Sequence, residues 1–201
     1  MEVIGITGGV GAGKSEILAY LRTHTNCRII IADKVAHDLE KRGGACYEHI
    51  VALLGNDIVA EDGEIDKAKM AAGIFTDREL LTQINAIVHP AVKEYIVEQI
   101  AEERKEDKLD YLFIEAALLI EDGYREIVDD MWYIHADDKT RRERLKTSRG
   151  YTDEKIDSIM KEQLSEEEFY RYCSTVIDNS KTLEGAYRQI DEKLGDRLCQ
   201  K

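Results

Sequence analysis

Proline is almost missing from this chain, with one residue, Pro90, in 201. Long proline-rich linkers are therefore excluded. Cysteine is scarce as well. Cys27, Cys46, Cys173 and Cys199 stand far apart, with no CxxC pair and no regular spacing. That pattern argues against a zinc site and for free thiols in a reducing compartment. Net positive charge is also missing: 28 basic residues face 41 acidic ones, giving −13. An acidic surface repels a phosphate backbone, so general nucleic-acid binding is disfavoured. No apolar run approaches the roughly 20 residues that a membrane helix needs. No basic-plus-apolar leader precedes the first strand, and there are no repeats or low-complexity tracts. These absences predict a cytoplasmic protein with no membrane partner; the sequence leaves its oligomeric state open. What is present is 43% hydrophobic residues, enough to bury a real core in one α/β unit with insertions.

Five short apolar runs read as buried parallel strands: EVIGIT (2–7), RIIIA (28–32), YLFIE (111–115), MWYIH (131–135) and STVI (174–177). Helical patterns between them predict a doubly wound α/β fold with a five-stranded parallel sheet. The gap between the second and third strands is far longer than one crossover helix requires. It reads as a helical insertion, with helices over 33–54, 66–75 and 77–89. Pro90 is then expected to open a further helix over 90–106. A second stretch, over 137–168, reads as irregular and dense in charge, with Arg141, Arg142, Arg144, Lys146 and Arg149, and supplies the candidate for a lid over 137–169. The core is expected at 1–33, 108–136 and 170–201, and the insertion at 34–107. A closing amphipathic helix is expected over 183–198.

The most specific motif is GGVGAGKS, from Gly8 to Ser15, which satisfies G-x-x-x-x-G-K-[ST] directly after the first strand. Small residues let backbone N–H groups wrap a phosphate chain, and the following helix adds its positive end. Gly9, Val10, Gly11, Ala12, Gly13, Lys14 and Ser15 are thus candidates to bind ATP. Lys14 would reach the β- and γ-phosphates, and the Ser15 hydroxyl would ligate Mg2+. The motif leaves kinase, GTPase and ATPase open. No NKxD guanine-reading motif is present. A motor or helicase would need more chain. A small-molecule kinase needs an acceptor site and a cationic lid, and both have candidates.

Asp33 follows the second strand, at the edge of a doubly wound sheet where ligands bind. A carboxylate there can take or orient a hydroxyl proton, or simply cap the next helix. Glu115 ends the third strand and can hold Mg2+ or start a helix. Arg141 and Arg142 read first as a solvated face paired with Asp137 and Asp138.

The runs ITGGVGAGKS, ADKVAH (32–37) and NAIVHPAV (85–92) resemble the dephospho-CoA kinase family. GEIDKAKMAAGIF (63–75), ALLIEDGY (117–124), Arg144-Leu145, Gln163 and IDN (177–179) follow in order, so the resemblance covers nearly the whole chain. It implies transfer of the ATP γ-phosphoryl group to the ribose 3′-hydroxyl of dephospho-CoA, the last step of coenzyme A synthesis. It also implies that Asp33 is the general base and Arg144 the lid arginine on the phosphates. The insertion becomes the acceptor subdomain, with His89 and Lys67 as substrate-binding residues. Asn179 falls where such kinases hold adenine, a job usually done by backbone, and a plain turn is its other reading. The chain departs from the family pattern at Ile31, where an Asp is usual, and at Lys67, where Arg is usual. It departs again at Glu115, where the family has Asp, and at Ser148, where it has a second lid arginine. Another small-acceptor kinase and a non-enzymatic nucleotide switch are the alternative readings.

Overall fold

A computed structural model describes residues 1–75 and 77–198. The elements run β1 (Glu2–Thr7), α1 (Lys14–His24), β2 (Cys27–Ile31), α2 (Ala32–Leu39), α3 (Tyr47–Leu54), α4 (Lys67–Phe75), α5 (Arg78–Glu106) and β3 (Tyr111–Glu115). They continue β4 (Asp130–His135), α6 (Asp138–Arg149), α7 (Asp153–Lys161), α8 (Glu166–Tyr172), β5 (Thr175–Asp178) and α9 (Leu183–Leu198). The chain divides into two compact units. One comprises Met1–Ile29 with Asp107–Lys201, the other Ile30–Glu106.

The five strands form one sheet in the order β2-β3-β1-β4-β5. β1 pairs in parallel with β3 and β4, and β4 with β5. The register sets Ile6 opposite Glu115 and Thr7 opposite Tyr133. The loop that leaves β1 after Thr7 therefore springs from the central strand, flanked by the carboxyl ends of β3 and β4. The apolar runs alternate between the two faces of the sheet. Ile4, Ile6, Phe113, Trp132 and Ile134 belong to a core shared with Ile17 and Leu21 of α1 and Ile190 of α9. On the other face Tyr133 stacks on Phe169 of α8, with ring centroids 4.5 Å apart.

In the second unit, α2 and α5 pack together, and α3 and α4 also pack on α5. Two expectations are corrected here. The helix expected over 33–54 is broken into α2 and α3. Gly43 stands at φ 84, the left-handed region that glycine tolerates, and a turn closes with Cys46 N–H donating to the Leu39 carbonyl at 3.0 Å. Pro90 does not open a helix but lies inside α5. Its ring removes one backbone donor, which ordinarily stops a helix. The buried residues Ile84, Val88, Val92, Ile96 and Ile100 recur every fourth position straight past it, so burial carries the helix through.

The strand ends also shift: β2 begins at Cys27, β4 at Asp130 and β5 at Thr175. The stretch expected to be irregular over 137–168 is instead helical, forming α6, α7 and the start of α8, two of them capped by Asp137 and Thr152. Cys27, Cys46 and Cys173 are free thiols, and Cys199 lies outside the described residues. Burial pushes the Cys173 thiol up to about 12, which keeps it neutral and unreactive. Among the described residues no helix is long and apolar enough to cross a membrane.

Candidate functional site

Gly8–Gly13 is a loop whose carbonyls are all engaged, and Lys14 and Ser15 open α1. The Gly8 carbonyl accepts from Lys14 Nζ at 2.7 Å, and the Gly9 carbonyl accepts from Ala12 N–H at 3.1 Å. The Val10 carbonyl accepts from Arg141 Nε at 2.9 Å, and the Gly11 carbonyl from an Arg144 nitrogen at 3.4 Å. The Ala12 carbonyl accepts from Arg144 at 3.2 Å and from Asn179 Nδ2 at 2.8 Å. The Gly13 carbonyl accepts from the amides of Glu16 and Ile17 in the first turn of α1. That turn has no side-chain cap. A helix start of this kind, with its dipole and amide groups, suits an anion.

Gly8 shows why the loop needs glycine. Its φ is 149, and a Cβ there would meet the Ile134 carbonyl oxygen at 2.5 Å. That neighbour is backbone and cannot rotate away. Gly8→Ala is expected to destabilise the fold by about 2–4 kcal/mol, read as a lower urea midpoint. An unchanged midpoint would show that the Ile134 strand end yields freely.

Three cations converge on this loop in a chain of strongly negative net charge. Lys14 is also 3.6 Å from Glu115 Oε1, and the two side chains are 17% and 14% exposed. Arg144 reaches from α6 with one nitrogen on the loop carbonyls and the other 2.8 Å from the Asn179 carbonyl. Asn179 is fully buried; its amide donates to Ala12, and its Oδ1 has no hydrogen-bond partner among the described residues. Its side chain thus holds the loop. Ser15 is exposed on the first turn of α1.

Arg141 and Gln163 are the residues that sequence reasoning undervalued. Arg141 is 14% exposed and does not join a solvated pair with Asp137. Asp137 instead caps α6, accepting from Thr140 N–H at 2.7 Å, a bond that holds its carboxyl below the usual range. Arg142 pairs with Asp157 at 2.5 Å. The available signal was the spacing of Arg141 and Arg144, one helical turn apart and hence on one face. Arg149, by contrast, is at the far end of α6, 5.9 Å from the Tyr151 ring.

In the other unit, Asp33 is exposed in the first turn of α2. The helix starts at Ala32 with Ile31 in the N-cap position, so Asp33 is not its cap. His89 is half-buried within α5. Lys67 opens α4 and places Nζ 3.3 Å from His37 Nε2. His37, Glu40, Lys41, Glu64, Ile65 and Lys67 line a cavity of about 340 Å³. Burial lifts the Glu40 carboxyl above its usual range, against the pull of Lys67 and His37.

The sequence model of the dephospho-CoA kinase family matches residues 2–185. The dephospho-CoA kinase of Streptococcus mutans is 33% identical over 193 residues, spanning 96% of each chain. That of Aquifex aeolicus is 34% identical over 190 residues, spanning 94% of each. Among solved structures, a protein from Thermus thermophilus superposes with a TM-score of 0.78 at 26% identity, covering 97% of each chain.

Proposed function

Since the chain belongs to the dephospho-CoA kinase family, we propose that Gly8–Ser15 takes the ATP of its reaction and that the Ile30–Glu106 unit takes the acceptor. The enzyme transfers the ATP γ-phosphoryl group to the ribose 3′-hydroxyl of dephospho-CoA, the last step of coenzyme A biosynthesis. The observation that carries the donor half is the loop itself. Its carbonyls are all turned to donors, and Lys14, Arg141 and Arg144 stand around it.

In the proposed step O3′ attacks Pγ in line, the bond from Pγ to the ADP oxygen breaks, and the O3′ proton passes to the Asp33 carboxylate. Lys14 and Arg144 balance the charge that spreads over the γ-phosphoryl oxygens. Arg144 belongs to the 137–169 segment, which acts as the lid and excludes water when closed. The side chain of Asn179 acts on the phosphate loop, which leaves adenine to the backbone after β5. His89 and Lys67 bind the acceptor, Lys67 as a point charge for its phosphates and His37 beside it in the cavity. A hydroxyl and a carboxylate are hard oxygen donors, so Ser15 and Glu115 fit Mg2+, which when bound would neutralise phosphate charge. The free thiols of Cys27, Cys46 and Cys173 support a cytoplasmic enzyme.

A coupled ADP-release assay with a panel of acceptors tests this reading. Dephospho-CoA is expected to drive turnover, with nucleosides, nucleotides and sugar acids at background. Turnover with one of those and none with dephospho-CoA would overturn it.

A further inference from the structure

Val10, at the tip of the phosphate loop, has both of its peptide groups bonded to the lid segment. Its N–H donates to Gln163 Oε1 at 3.2 Å, and its carbonyl accepts from Arg141 Nε at 2.9 Å. The ring closes because an Arg141 terminal nitrogen donates to the same Gln163 oxygen at 2.6 Å. Gln163 is in the short link between α7 and α8, and Arg141 is on α6. Two hydrogen bonds therefore join the lid to one residue of the loop, and a third joins the two lid residues to each other. The carboxylate nearest to Arg141, Asp138, is 3.9 Å away, too far to compete with these bonds.

We infer that Arg141 and Gln163 form a clamp on Val10 that fixes the peptide planes of the phosphate loop, so that both are positioning residues for ATP. They act through the loop and touch no reacting atom. A planar guanidinium with a fixed fork of donors can hold a carbonyl and a carboxamide oxygen together, which an ammonium group cannot do with the same geometry. A loop held in its binding conformation loses less freedom when the phosphates arrive. The clamp also ties lid to loop: the lid cannot swing away without breaking these bonds or dragging Val10 with it. This inference rests on the donor reading of Gly8–Ser15 proposed above.

The test is a double-mutant cycle with two readouts, ATP affinity by calorimetric titration and steady-state kinetics. Arg141→Ala and Gln163→Leu are each expected to weaken ATP binding about tenfold, with the KM for dephospho-CoA unmoved and kcat changed less than about threefold. The double variant is expected to lose about tenfold as well, because either change opens the ring. Gln163→Glu keeps an acceptor for both donors and is expected to bind ATP within about threefold of the native chain. Unchanged ATP affinity in Gln163→Leu would overturn the clamp. So would a multiplicative, roughly hundredfold loss in the double variant, which would mean that the two residues act separately. Titration needs no acceptor, so a failure of the clamp is distinguishable from a failure of the dephospho-CoA reading. If Arg141→Ala does not fold, Gln163→Leu against Gln163→Glu decides the same question.

Discussion

Replacing Lys14 with alanine is expected to lower kcat/KM for ATP on the order of 10²–10³-fold, which a coupled ADP-release assay would read directly. In the loop the Lys14 ammonium donates to the Gly8 carbonyl and is 3.6 Å from Glu115. It is thus held at the start of α1, where a phosphate chain can exchange with the Gly8 carbonyl as its acceptor. Its removal has two consequences that must be separated. The phosphates lose a charge-assisted donor, which affects rate. Glu115, largely buried, loses this cation, which affects stability by about 1–2 kcal/mol. Glu115→Gln in the Lys14→Ala background removes the carboxylate charge that Lys14 faced. It is expected to restore the thermal midpoint while leaving turnover depressed. If turnover returned with the midpoint, Lys14 would be a structural partner of Glu115 and no more, and Glu115 would have no part in holding Mg2+. If Lys14→Ala kept turnover within about tenfold of the native chain, the phosphate role would fall.

The second large effect is expected at Asp33. Asp33→Asn keeps the shape of the side chain and removes its ability to accept a proton. kcat is expected to fall by about 10²–10⁴-fold with ATP affinity unchanged. The bland alternative is specific too. An exposed carboxylate in the first turn of α2 contributes through the helix dipole, at about 0.3–1 kcal/mol. On that account Asp33→Asn would lower the thermal midpoint by a few degrees at most and leave kcat alone. A normal kcat with a slightly lower midpoint would therefore remove Asp33 as the base.

Particular residues show what could be seen in the sequence and why. The five strands were legible because buried parallel strands are continuous apolar runs, and only their ends moved, as with β4 starting at Asp130. The loop was legible because its chemistry depends on backbone reach, which restricts residue size at fixed spacing. Pro90 misled because a local rule about a missing N–H met a buried stripe from Ile84 to Ile100 that outweighs it. The Asp33–Leu54 helix misled for the opposite reason. Gly43 and Gly44 announced a stop, and an apolar pattern on both sides drew attention past them. In the candidate site, motif and resemblance singled out Lys14 and Arg144, and the structure sets both against loop carbonyls; their roles toward ATP are proposals. Arg141 was not, because nearby acids offered it a surface partner, whereas its contact is with a backbone carbonyl 131 positions away. Asn179 was visible as a residue and not as a role, since a side chain that holds another loop leaves no local pattern.

The engaged carbonyls from Gly8 to Gly13 have a consequence for how fast and at what thermal cost the nucleotide arrives. A segment whose every acceptor is already occupied has little left to order. If the loop takes ATP as proposed, association is a matter of encounter followed by exchange of a few donors from carbonyl to phosphate. Such binding is gated by diffusion and charge, with no slow folding of the recognition segment, and its heat comes from swapping one set of polar partners for a stronger one.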